Sequence, residues 1–149
     1  MSDSRAAAEQ IIDRIQYLRW TLLPPYTYNE DEDEKTVEEY LIFYSTNINK
    51  CIESVTLYIE ALREFYRDTH SETTFQEIMH IRETYIGNFP FCYDELEDEK
   101  DEEKPNFIEY MRSVYTKGAS NLFLLRTCLE YRDLLQELKQ KTRFPLTNN

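Results

Sequence analysis

Apolar residues recur at alternating steps of three and four along most of this chain, which is the spacing of one face of an α-helix. The longest such stretch lies between residues 36 and 68. Thr36 and Glu39 stand at its start in the spacing of a capping box, in which each side chain binds the backbone amide of the other residue. The pattern predicts one long helix over 36–68. Its apolar stripe is Val37, Leu41, Tyr44, Ile48, Cys51, Val55, Tyr58, Leu62 and Phe65.

The same spacing predicts a helix before this one and a short helix after it. The first covers residues 4–23 and ends at Pro24, because a proline disfavours the α conformation in the residue that precedes it. The short helix covers residues 74–87, from a second capping box that begins at Thr74 to a C-terminal cap at Gly87.

The last predicted helix covers residues 106–142 and contains Gly118, which either kinks the helix or divides it. Its apolar side is Phe107, Ile108, Met111, Tyr115, Leu122, Leu125, Leu129, Leu135 and Leu138. Residues 29–35 and 94–104 are predicted to be acidic loops, and the latter contains eight carboxylates in the ten residues from Asp94 to Glu103.

These elements predict an all-α protein in one domain over residues 1–149, either an antiparallel four-helix bundle or a long helical hairpin with two shorter packed helices. The two long helices would extend about 45–55 Å at a rise of 1.5 Å per residue. That length exceeds what a compact domain of this size needs. We therefore expect their apolar seams to be completed by another chain.

Composition supports a folded helical protein. Hydrophobic residues make up 41% and aromatic residues 14% of the chain, which excludes a disordered acidic protein. Only 2 glycines are present, so the glycine-rich phosphate loops of nucleotide-binding enzymes are excluded. Three cysteines and the absence of an N-terminal apolar leader favour an intracellular protein of the cytoplasm or nucleus, with no membrane span.

Charge is unevenly distributed along the chain. Residues 1–104 hold 10 Lys+Arg against 25 Asp+Glu, whereas residues 105–149 hold 7 against 4. An acidic body with a mildly basic last helix favours contact with other macromolecules over chemistry. We expect the acidic loops to contact a basic protein, and we expect no direct binding of nucleic acid.

Motifs for chemistry are absent from the sequence. Glu77 and His80 match half of a di-iron motif, but such a site needs a second Glu-x-x-His and further glutamates. No cysteine or histidine spacing fits a zinc site, and the acidic runs lack the glycine of a calcium-binding loop. The sequence therefore predicts no enzyme, no metal and no cofactor.

The function predicted from these features is that of a non-catalytic interaction subunit or adaptor, which binds helices of another protein or of a second copy of this chain. The alternative is an acidic chaperone or inhibitor of a basic or nucleic-acid-binding protein, which includes a viral helical protein that intercepts a host factor. The residues predicted to bind the partner are Trp20, Tyr44, Tyr58, Phe65, Phe89, Phe91, Tyr93, Arg132, Lys139 and Arg143.

Overall fold

A computed structural model of the chain describes residues 2–24, 35–67, 70–91 and 104–142. These ranges contain α-helices and short 3-10 turns and no strand, so the predicted all-α helical bundle is confirmed. The α-helices are α1 (Ser2–Leu18), α2 (Val37–Arg67), α3 (Glu72–Tyr85), α4 (Lys104–Thr116) and α5 (Gly118–Thr142). Two 3-10 turns, Arg19–Thr21 and Ile86–Asn88, follow α1 and α3.

Helix α2 is continuous and forms the centre of the bundle, with α3 and α5 packed against it. Helix α3 runs antiparallel to α2, since Phe65 lies 6.2 Å from Phe75 at one end and Asn88 donates a 2.9 Å hydrogen bond to Ser54 at the other. Helix α5 packs against both α1 and α2. No helix in the described part of the chain is long and apolar enough to cross a membrane.

The capping box at the start of α2 is present as predicted. The Glu39 amide donates to the Thr36 hydroxyl at 3.1 Å, and the Thr36 amide donates to the Glu39 carboxylate at 3.2 Å. The second predicted box is wrong, because α3 begins at Glu72 and Thr74 lies inside its first turn. The Thr74 hydroxyl instead donates to the Ser71 carbonyl at 3.0 Å.

Other helix ends also differ from the prediction. Helix α1 begins at Ser2 and ends at Leu18, and a 3-10 turn over Arg19–Thr21 replaces the predicted continuation to residue 23. The last helix begins at Lys104 and is divided into α4 and α5 on either side of Lys117, so Gly118 starts a new helix. The predicted C-terminal cap at Gly87 does not take the left-handed form common for glycine, because its φ is not positive and it lies in the 3-10 turn after α3.

The apolar seam of α2 is covered within this chain. Every member of the predicted stripe from Tyr44 to Phe65 is at most 5% exposed, and Val37 and Leu41 are half-buried. The expectation that another chain must complete this seam is therefore wrong. The reason is that α3, α5 and the segment after α3 together enclose it, with Phe89 packed 5.7 Å from Tyr58.

Candidate functional site

Four of the predicted partner-binding residues belong to the core. Tyr44, Tyr58, Phe65 and Phe89 are at most 2% exposed, so a partner cannot reach them in this structure. Their aromatic side chains pack against the core of this chain.

The buried tyrosines pair through their hydroxyl groups. Tyr58 and Tyr115 share a 2.7 Å hydrogen bond, and Tyr44 and Tyr131 share one of 3.1 Å. Arg82, itself 3% exposed, donates to the Tyr115 hydroxyl at 3.2 Å. Burial raises the pKa of both Tyr58 and Tyr115, because an ionised phenolate loses its hydration there. These pairs satisfy buried hydroxyls and fasten α2 to α4 and α5.

Two buried arginine side chains, those of Arg19 and Arg82, form hydrogen bonds near the C-terminal end of α1. Arg82 donates a hydrogen bond to the Pro24 carbonyl, which ties α3 to the segment that follows α1. Arg19 is 4% exposed and donates to the Tyr40 hydroxyl at 3.2 Å, while its guanidinium lies 4.2 Å from the centre of the Trp20 ring. Trp20 is half-buried.

The remaining predicted aromatic contacts lie at the rim of the core or outside the described residues. Phe91 is half-buried and packs edge-on against Tyr40 at 4.9 Å. Tyr93 and Arg143 lie outside the described residues, as do residues 29–34 and 94–103 of the predicted acidic loops.

The two described cysteines are core residues. Cys51 and Cys128 are fully buried, and burial raises the pKa of both thiols, that of Cys51 to about 12. A thiol with so high a pKa is a poor nucleophile at neutral pH. Among the residues that the structure describes, no group of three or more His, Cys, Asp and Glu side chains is arranged to hold a metal ion.

The outer flank of α5 is the most coherent exposed feature. Leu122 is 69% exposed, Leu125, Leu129 and Arg132 are half-buried, and Gln136 and Lys139 are exposed. Because these residues follow one another at steps of three and four, they lie on one face of the helix. We call this face the α5 outer stripe: Leu122, Leu125, Leu129, Arg132, Gln136 and Lys139.

The stripe borders a groove between α2 and α5. The groove has a volume of about 720 Å³ and is lined by Asn49, Ile52, Glu53, Gln136, Lys139 and Gln140. Across it, the Lys139 ammonium donates to the Asn49 side-chain oxygen at 2.7 Å. The opposite flank of α5 faces α1, since Arg14 binds Glu130 there through two hydrogen bonds of 2.5 and 3.0 Å. This pair lowers the pKa of the Glu130 carboxyl.

Two of the predicted partner-binding residues, Arg132 and Lys139, thus fall on the stripe, whereas its three leucines were not predicted as contacts. The sequence contained a signal for them. The buried face of α5 is Leu124, Cys128, Tyr131, Leu135 and Leu138, which has its own regular spacing of four and three. Leu122, Leu125 and Leu129 are offset from that face, and the predicted stripe merged the two.

Other large apolar side chains are exposed at scattered positions: Tyr17, Ile42, Ile108, Tyr110 and Phe123. They lie on four different helices: α1, α2, α4 and the start of α5. Single exposed apolar residues are common on folded proteins. They therefore add less to a candidate site than the regular stripe does.

Comparison with known proteins gives no further guide to the site. No family model, curated protein or solved structure matches this chain.

Proposed function

We propose that this protein is a non-catalytic interaction subunit that binds a helix of a partner protein. The observation that carries the proposal is the α5 outer stripe, in which a 69% exposed leucine continues into two half-buried leucines on one helix face. Apolar side chains in such an arrangement gain free energy when another surface removes them from water. Regular three-and-four spacing fits an α-helix as that surface.

The interior supports a binding role over a chemical one. The buried tyrosine and arginine groups are engaged with one another, as in the hydrogen bonds from Arg82 to Tyr115 and between Tyr58 and Tyr115. The polar groups that line the groove beside α5 are the amide side chains of Asn49, Gln136 and Gln140, the cation of Lys139 and the carboxylate of Glu53. Groups of this kind orient a bound chain at a polar rim.

The alternative of an acidic chaperone depends on the carboxylate runs of residues 30–34 and 94–103, which lie outside the described residues. No described contact favours it over the interaction subunit.

Reconstitution of a defined complex tests the proposal. The tagged full chain is purified from its source cells, proteins recovered in stoichiometric amount are identified, and each is produced separately and mixed with the pure chain. We expect a complex of fixed composition by light scattering. The proposal fails if no protein is recovered in stoichiometric amount, or if none of the recovered proteins forms a complex with the chain when purified.

A further inference from the structure

We propose that the α5 outer stripe binds one amphipathic helix of a different protein, whose apolar residues contact the stripe leucines and whose carboxylates lie opposite Arg132 and Lys139. This inference rests on the proposed function and adds the binding surface and the chemistry of the partner. It is carried by the distribution of apolar and charged residues along the stripe.

The stripe is divided into an apolar half and a polar half. Leu122, Leu125 and Leu129 form the first half, and the cations Arg132 and Lys139 flank Gln136 in the second. From Leu122 to Lys139 the stripe extends about 25 Å at 1.5 Å per residue, which is the length of a helix of about five turns. The occupant is therefore a single amphipathic helix with charge concentrated at one end.

The stripe contains cations and no carboxylate. Within the described ranges, neither Arg132 nor Lys139 forms an ion pair, although carboxylates elsewhere on α5 do, such as Glu130 with Arg14. Lys139 uses one of its three donors on Asn49, so two remain for a ligand. The groove of about 720 Å³ beside Lys139 and Gln136 is also lined by the carboxylate of Glu53 on α2, so the groups that attract an acidic side chain are the cations on α5, Arg132 and Lys139. Charge complementarity thus selects carboxylates at this end of the partner helix.

A second copy of this chain is a poor occupant. If two stripes paired in parallel, Arg132 and Lys139 of one would face the same cations of the other. If they paired antiparallel, each apolar half would face a cationic half and would leave the charges unpaired. The net charge of −12 also opposes self-association at low ionic strength. A different helix avoids the two pairing costs, because its leucines can face the stripe leucines while its carboxylates face Arg132 and Lys139.

The test uses synthetic helices of about five turns as probes. Each carries leucines at steps of three and four along one half and either two glutamates or two lysines along the other half. The glutamate helix and the lysine helix are each made in two versions, one with the charged half at the N-terminal end and one with it at the C-terminal end. Binding to the full chain is measured by fluorescence anisotropy at about 0.15 M salt. We expect one glutamate helix to bind about tenfold more tightly than its lysine counterpart.

Variants of the full chain locate the binding. Leu122→Asp should weaken the binding of both the glutamate helix and the lysine helix in the preferred orientation. Because Leu122 is 69% exposed, the variant should keep its fold. Arg132→Glu with Lys139→Glu should remove or reverse the preference for the glutamate helix. Thr46→Asp, an exposed polar position on α2, is the matched control for added charge and should leave binding unchanged. Circular dichroism checks that each variant is folded.

Three results would overturn the inference. The first is equal binding of the glutamate and lysine helices, or no binding of any helix at about 1 mM. The second is binding that Leu122→Asp leaves intact. The third is evidence that something else occupies the stripe. A dimer that Leu122→Asp dissociates would identify a second copy of the chain as the occupant, and tight helix binding that begins only when the carboxylates of residues 94–103 are replaced by serine would identify that segment. The reconstitution experiment is independent of all three, so the proposed function can survive when the stripe assignment fails.

Discussion

Replacing Tyr58 with phenylalanine tests the role of the buried hydroxyl pairs. The change keeps the ring, which packs 5.7 Å from that of Phe89, and removes only the oxygen that shares a 2.7 Å hydrogen bond with Tyr115. Tyr58 is 0% exposed, so water cannot replace the lost partner. In the variant Tyr115 still accepts from Arg82, but its own hydroxyl loses the contact with Tyr58.

The expected loss in the free energy of unfolding is about 1–3 kcal/mol, which is the cost of leaving one buried hydroxyl group without a partner. Tyr115→Phe should cost more than Tyr58→Phe, because it also removes the oxygen to which Arg82 donates at 3.2 Å. The double variant should cost less than the sum of the two single variants, since both remove the same hydrogen bond.

Urea unfolding followed by circular dichroism measures these differences. Tyr17→Phe is the matched control: Tyr17 is 71% exposed, and the same change should alter stability by less than about 0.5 kcal/mol. If Tyr58→Phe costs no more than Tyr17→Phe, or if the two buried variants are fully additive, the hydroxyl pair does not stabilise the bundle and the reasoning is refuted.

Four further outcomes are expected. Thr36→Ala should lower the free energy of unfolding by about 0.5–2 kcal/mol by removing the capping hydroxyl of α2, and Thr36→Ser should restore most of it, as measured by urea unfolding. Gly87→Ala should raise stability by about 0.4–1 kcal/mol, because φ is not positive and a Cβ at this position meets nothing within 4 Å; a loss would show that the turn needs glycine. The Cys51 thiol, with its pKa at about 12, should react with a thiol reagent at neutral pH only after the chain unfolds, and rapid reaction of the folded chain would contradict its burial. Arg14 lowers the pKa of Glu130, and this exposed pair should stabilise the fold by less than about 1 kcal/mol. The stabilisation is present above the ordinary glutamate pKa and is lost as the pH falls through the lowered pKa. Glu130→Gln should remove that part of the pH dependence of stability.

Helix α2 shows what the amino-acid pattern could predict. Its bounds, Val37 and Arg67, lie within one residue of the predicted 36–68. The start could be predicted because the capping box of Thr36 and Glu39 is a signal in the local sequence. The covering of its seam could not be predicted. Whether Tyr44 and Tyr58 face a partner or their own chain depends on the path of α3 and α5, which no local spacing specifies.

Helix α5 shows a second limit, which arises within one element. The predicted apolar side joins Leu122 to Leu135 and Leu138, but Leu135 and Leu138 lie on the buried face and Leu122 does not. A helix turns by 100° per residue, and leucines on two neighbouring faces can both follow one another at steps of three and four. The spacing alone therefore does not tell which face is buried. The division at Lys117 added to the error, since it interrupts the phase between the stripe of α4 and that of α5.

The two faces of α5 together explain why a helix can be both a core element and a binding surface. The buried face includes Tyr131, whose hydroxyl pairs with Tyr44, and Cys128, which is fully buried. That face holds α5 against α2, so the backbone that carries Leu122 and Lys139 is fixed before any partner arrives. A preformed surface loses little conformational entropy on binding. The affinity of the stripe should therefore depend on the hydrogen bond between Tyr131 and Tyr44. Tyr131→Phe should weaken binding of the glutamate helix although residue 131 does not contact that helix, whereas Tyr17→Phe should leave binding unchanged. Unchanged affinity in Tyr131→Phe would show that the stripe does not need the core contact behind it.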